Sequence, residues 1–307
     1  MIVLLAGATG AIGRPLTRLL IAAGHEVLGL ARSAEAERVV AGLGARPVRA
    51  DAMDRDGLLA AVRGLRADAV VHQLTALKKP RRTVDETEPS TRLRIEGTAN
   101  LLAAARVLGA HRFVTQSLVF GYGYTDHGAR MLTEADPFGV RLGNLGDVVV
   151  DGLRSAEEQV FAAEGLDGIA LRFGVFYGPG TWFDPAPATR PMPMPVPRSG
   201  GGLTSWVHVA DAADATVAAL ERGRGGEAYN IVDGRPSTWG ELAAATAAAR
   251  GRRPLRVPGR MLRLAVPYLG TMMLDTSMRV SGAKAERELG WTAVHADHRE
   301  GLRATVA

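Results

Sequence analysis

The run from Ile2 to Gly13 constrains the fold more than any other stretch. Ile2-Val3-Leu4-Leu5-Ala6 is short, continuous and apolar, the pattern of a strand buried on both faces. Gly7-Ala8-Thr9-Gly10-Ala11-Ile12-Gly13 comes directly after it, and Leu16, Leu19, Leu20 and Ala23 then recur with helical spacing. Strand, glycine turn and helix in that order predict a phosphate cradle. Gly7 permits the tight turn, Gly10 lets backbone approach a pyrophosphate, and Gly13 lets the helix pack closely on the strand. The N–H groups at the helix start, from Thr9 through Ala11 and Ile12 to Gly13, face the anion. Pro15 falls in the first helical turn, where a missing N–H is tolerated.

Composition bounds what such a cradle serves. A chain of 307 residues, 47% hydrophobic and 22% charged, is long enough for about two domains with ordinary cores. Its net charge of +5 rests on scattered arginines, since Lys78, Lys79 and Lys284 are the only lysines. A nucleic-acid groove wants a clustered stripe, so a dinucleotide is the more economical anionic partner. Without cysteine there is no disulfide and no thiolate metal site, and no histidine spacing suits a metal. No 18-residue apolar run exists, and the first strand begins at Ile2, so the expectation is a cytoplasmic protein without membrane partners.

His25 to Leu30 reads as the second strand, with Ala31-Arg32-Ser33 at its end. An acid at this point would hold the adenosine ribose; Ala31 stands there instead, and Arg32 with Ser33 offers donors suited to a 2′-phosphate. Arg32 read as an ordinary surface arginine stays open. NADP is favoured over NAD. Arg46 to Ala50 is a third strand, and Asp51-Ala52 after it sits beside the adenine, or Asp51 caps the next helix. Asp68 to Leu74 is the fourth strand, delivering Leu74, Thr75 and Ala76 to the ligand-binding edge; His72 within it reads as a core histidine. Lys78 to Glu88 is a charged loop. Thr91 to Leu108 reads as one helix with Ile95, Ala99, Leu102 and Ala105 on its buried face, and with Gly97 allowing a close approach. Arg112 to Ser117 is the fifth strand.

These segments resemble the extended or atypical short-chain dehydrogenase/reductase superfamily, in its NAD-dependent epimerase/dehydratase branch. The resemblance spans nearly the whole chain and rests on GATGAIG at 7–13, ADAVVHQLTA, RLRIEGTANLLAAAR at 92–106, RFVTQS at 112–117, LRFGVFYGPG at 171–180 and SWVHVADAADA at 205–215. It implies a serine that orients the substrate oxygen, a tyrosine that moves the proton, and a lysine four residues on that lowers the phenol pKa. Ser117 matches the serine. Aligning Glu158-Gln159 with the family's Glu-Gln pair puts Val150 at the tyrosine and Arg154 at the lysine. Valine has no proton to give; arginine can still hold ribose hydroxyls but stays protonated. Tyr122 and Tyr124, in a glycine-rich loop just past Ser117, are the candidate substitutes, with pocket walls as their plainer reading. Asp147 and Asp151 share a helical face with Val150 and Arg154; either is a candidate base, and Asp147 is also a candidate N-cap.

Leu166 to Phe173 is the sixth strand, and the resemblance places Phe173 and the turn at 174–180 beside the nicotinamide. From Trp182 the composition shifts, and Arg190 to Arg198 carries proline at every second position, an extended polyproline-like segment in which Met192 and Met194 offer soft contacts. Trp206 to Val209 is a strand, Asp211 to Glu221 a helix, Ala228 to Val232 a strand, and Thr238 to Glu241 a capping box.

The expected fold is α/β: a doubly wound parallel Rossmann sheet with a smaller, discontinuous C-terminal substrate domain. The dinucleotide-binding domain takes 1–175 with 205–232, and the substrate domain takes 176–204 and 233–307. The expected function is an NADP-dependent oxidoreductase acting on a carbonyl or hydroxyl of a small metabolite. An epimerase, dehydratase or cyclase without net redox is the first alternative, and a dinucleotide-sensing regulator the second. A homodimer is compatible with all three.

Overall fold

The structure, a computed structural model, describes residues 1–76, 82, 84–186 and 194–306. Seven strands form one parallel sheet: β1 Ile2–Ala6, β2 Glu26–Ala31, β3 Arg46–Arg49, β4 Ala69–His72, β5 Arg112–Leu118, β6 Asp167–Phe173 and β7 Glu227–Ile231. Their order is β7-β6-β5-β4-β1-β2-β3, so the chain runs outward from β1 to β3 and then crosses back to β4. That reversal puts the topological switch point at the carboxyl ends of β1 and β4, where such sheets bind ligands. The expected doubly wound fold is therefore the one that forms.

Both faces of the sheet are covered, which is why its strands are nearly continuous apolar runs. Val3, Leu5, Val71, Val114 and Leu171 pack on one side with Leu16 and Leu20 of α1 (Gly13–Ala22). Leu4, Ala6, Val70 and Phe113 pack on the other with Leu58 and Leu101. The alternation reflects the two-residue period of a strand. Burying each of the larger of these side chains contributes about 1.5–3 kcal/mol.

The helix expected over Thr91–Leu108 is not regular. It runs as Pro89–Arg92, a π-helical turn Leu93–Gly97, and Thr98–Leu108. The π turn adds a residue to the repeat, so the helical faces on its two sides are out of phase. Ile95, expected inside, is therefore 40% exposed, while Leu101, Leu102, Ala104, Ala105 and Leu108 form the buried face. The capping box does form: Glu241 N–H donates to Thr238 Oγ1 at 3.2 Å, and Thr238 N–H donates to Glu241 Oε2 at 2.8 Å, opening Trp239–Ala249.

Outside the main sheet, among the described residues, the strands are paired in twos. Val175–Tyr177 pairs with Trp206–His208, and Val196–Pro197 with Arg256–Val257. Asp126–Leu132, a strand not expected from the sequence, pairs with Ser277–Val280. Much of the proline-rich segment, including Met192, lies outside the described residues, as does most of 77–83; Met194 is buried. Among the described residues no helix is long and apolar enough to cross a membrane.

Candidate active site

The glycine turn is built as its spacing requires. Gly7 has φ of +103°, and a Cβ there would lie 2.7 Å from the Gln73 carbonyl oxygen. A Cβ on Gly13 would lie 2.0 Å from Gly7 O, so helix and turn touch through bare backbone. Gly10 differs: its N–H donates to Gly7 O at 2.9 Å, and an added Cβ would meet only that oxygen, at 3.2 Å. Its open side faces a cavity of about 900 Å³, rimmed here by Thr9, Gly10, Ala11, Ile12 and Gly13. No side chain caps the start of α1 and its first turn holds no acid, so its free N–H groups remain available to an anion. A bare glycine cradle at an uncapped helix start, opening on this volume, fits a dinucleotide.

At the expected adenosine end, the Arg32 side chain is 70% exposed and lies 4.0 Å from Asp51. Ser33 is the N-cap of Ala34–Gly42, its hydroxyl accepting the Ala36 N–H at 3.1 Å. Asp51 accepts the Met53 N–H at 3.0 Å, and Asp54, not Asp51, caps the next helix. Ala52 is buried, and its carbonyl accepts from Asn100 Nδ2 at 2.9 Å. Beyond β4, Thr75 and Ala76 line the cavity, and Ala76 N–H donates to Ser90 Oγ at 3.1 Å. Leu74 N–H donates to His72 Nδ1 at 3.2 Å; His72 itself is buried, with burial pulling its pKa down to about 4. Phe173 is fully buried against Phe176, and Phe176 lines the cavity.

The end of β5 separates two neighbours. Gln116 and Leu118 line the cavity, while Ser117, one residue out of step, is fully buried and its hydroxyl has no hydrogen-bond partner among the described residues. The structure thus turns Gln116, which sequence reasoning passed over, toward the cavity in place of Ser117. Tyr122 does not line the cavity. Its hydroxyl donates to Asn230 Oδ1 at 2.8 Å and accepts from Arg172 at 3.2 Å, and Arg172 forms a buried ion pair with Glu157 at 2.8 Å. Tyr124 does line it. Its ring stacks on Phe120 with centroids 4.8 Å apart, and its hydroxyl lies 2.7 Å from that of Tyr268. Burial pushes the Tyr124 phenol well above its ordinary pKa, so its hydroxyl stays protonated.

The other expected groups on Asp147–Phe161 are engaged elsewhere. Arg154 donates to Asp151 at 3.1 Å and to the Gly139 carbonyl at 2.5 Å, and Asp151 also pairs with Arg141 at 3.4 Å. Neither lines the cavity; Val149 does. Asp147 begins the helix and accepts the backbone N–H groups of Leu142, Gly143 and Asn144, which uses its carboxylate structurally. The cavity instead gathers Glu88, Arg94, Gln116, Tyr124 and Tyr268.

The model of the NAD-dependent epimerase/dehydratase family matches residues 3–232, about three quarters of the length. The chain belongs to that family. It is accordingly an enzyme, in the extended short-chain dehydrogenase/reductase fold. A 3-diazoavenalumate denitrifying reductase from a Streptomyces species is 38% identical, over 98% of this chain and 99% of the relative. A 4-hydroxy-2-methyl-3-oxo-4-farnesyl-3,4-dihydroquinoline-1-oxide ketoreductase from Stigmatella aurantiaca is 30% identical, over 97% and 93%. Among solved structures, the Thermus thermophilus UDP-glucose 4-epimerase in complex with NAD superposes with a TM-score of 0.78 at 26% identity, covering 100% of this chain and 98% of that one.

Val150, the position at which the resemblance expects a tyrosine, is buried. The phenols that reach the cavity come from the loop after β5 and from the segment near residue 268. Gln116 was detectable by strand parity, since a one-residue step changes faces. Tyr268, 144 residues from Tyr124, carried no local signal.

Proposed function

We propose that this enzyme is an NADP-dependent reductase of a carbonyl group on a small metabolite, with Tyr124 as the proton donor. The observation that carries this reading is the Tyr124–Tyr268 hydroxyl pair inside the cavity that opens from the glycine cradle. Gly7, Thr9 to Gly13, Arg32 and Thr75-Ala76 would hold the dinucleotide, which when bound and reduced supplies a hydride. The protein must then orient the carbonyl and protonate its oxygen. Gln116 has an amide able to donate to that oxygen. Tyr124, kept protonated by burial, gives the proton, and Tyr268 at 2.7 Å is placed to return one. The carbonyl carbon gains the hydride, the oxygen gains the proton, and an alcohol leaves. The division into a dinucleotide domain and a smaller substrate domain is part of the same proposal.

A second reading is favoured by the valine at position 150 together with the 38%-identical denitrifying reductase. A diazonium carbon that accepts a hydride releases dinitrogen, leaves a C–H bond, and needs no proton from the protein. The two readings separate in one assay, NADPH consumption by wild type and Tyr124→Phe with an aryl ketone or an arenediazonium salt. The carbonyl reading expects Tyr124→Phe to lose about 10²–10⁴-fold in ketone turnover while NADPH binding is kept. Diazonium turnover unaffected by Tyr124→Phe, with no ketone turnover by wild type, supports the second. Product without net NADPH consumption would replace both by a redox-neutral epimerase or dehydratase.

A further inference from the structure

One buried cation in the cavity has no partner among the described residues. Arg94 is 5% exposed, lines the cavity, and makes no hydrogen bond or ion pair with any described residue. It sits in the π turn Leu93–Gly97, a local insertion of the kind that re-aims side chains at functional sites. Glu88 acts on it electrostatically, but Glu88 Oε2 is engaged by the Thr91 N–H at 2.7 Å. A buried guanidinium without an acceptor is strongly unfavourable, and a protein keeps one where something else completes it. Nearby cavity walls are aromatic or soft: Phe120, Tyr124, Tyr268 and Met272. They suit a flat apolar body.

We infer that Arg94 is a specificity-determining residue that receives the carboxylate of a planar, apolar organic acid, the class of substrate this cavity takes. A guanidinium fits a carboxylate with two parallel hydrogen bonds. The neighbouring Glu88 leaves the site little net positive charge, which suits a monoanion and disfavours a doubly charged phosphate ester. This inference rests on the reading of the cavity as a substrate site, but not on which electrophile is reduced.

The test is calorimetric binding to the NADP-saturated protein, with cinnamate, its neutral isostere cinnamamide, and phenyl phosphate as probes. Wild type should bind cinnamate about tenfold or more tighter than cinnamamide, and tighter than phenyl phosphate. Arg94→Gln should erase the preference for the acid while NADP affinity stays unchanged, and Arg94→Lys should retain part of it. No preference for cinnamate in wild type, a preference surviving in Arg94→Gln, or tighter binding of phenyl phosphate would each overturn the inference. So would a loss of NADP affinity in Arg94→Gln, which would assign the guanidinium to the cofactor. Binding is read without turnover, so the outcomes separate cleanly. A protein that prefers the acid but reduces nothing defeats the reductase reading alone, and one that reduces a ketone without that preference defeats only this one.

Discussion

Arg32 stands at the end of β2 with its guanidinium mostly in solvent and 4.0 Å from Asp51. An exposed pair at that distance is worth about 0–1 kcal/mol, so the side chain is free to turn to a 2′-phosphate. We expect NADP to bind at least about tenfold tighter than NAD, and Arg32→Ala to remove most of the difference. Titrating both cofactors against both proteins checks it; equal affinities in wild type would count against NADP. At this scale the glycines of the cradle were legible, because Gly7 and Gly13 are dictated by local sterics that spacing encodes. Ser117 was not, because which face of a strand meets a cavity depends on where the sheet's neighbours leave room. Nor was Tyr122, whose hydroxyl is taken up by Asn230 and Arg172 from distant segments.

Elements with an uninterrupted period were readable, and those without one were not. The π turn at Leu93–Gly97 breaks the helical repeat, so Ile95 was assigned to the wrong face and Arg94 was passed over. Gly97, expected to allow a close approach, has room for a side chain. A Cβ there would find Leu93 at 3.5 Å and Met53 sulfur at 3.9 Å, ordinary contacts. Gly97→Ala should therefore stabilise the protein by about 0.5–1 kcal/mol through the cost of ordering glycine. A rise in urea midpoint at unchanged slope is the expected result; a fall would mean that the π turn itself needs glycine. Asp126–Leu132 escaped notice for another reason. Its residues are mostly exposed, so it lacks the alternation of a half-buried strand, and its partner Ser277–Val280 lies far along the chain.

Across the whole molecule, acid should loosen the fold. His72 and His208 are buried, and burial lowers each pKa to about 4. Both are neutral in the folded protein, so their contribution is complete above the unfolded value near 6.5 and is lost as pH falls toward 4. Asp233, pushed up to about 8 by burial, works in the opposite sense over that window, since the folded protein holds its proton more tightly. Burial also lowers His127 and His298 and raises Asp214, so four histidines stand against two carboxyls and leave a net fall. The urea midpoint should drop between about pH 7 and about pH 5, and His208→Gln should make that fall shallower. An equally steep fall in the variant would exclude His208 as a source.

His208 also shows why that dependence belongs to the assembled molecule. Its Nε2 meets Thr305 Oγ1 at 3.2 Å, and its ring lies 4.1 Å from that of His295, both from the C-terminal segment. By itself the sequence determined the strands of the parallel sheet, the tight glycine turn and the family, because each is written in patterns within a few residues: periodic burial, backbone sterics and motif spacing. Only the tertiary structure decided that Gln116 and Tyr124 face the cavity, that Arg94 enters it with no partner among the described residues, and that Asp151 and Arg154 do not reach it. Those outcomes turn on contacts between segments far apart in the chain, where packing rather than local preference chooses each side chain's surroundings.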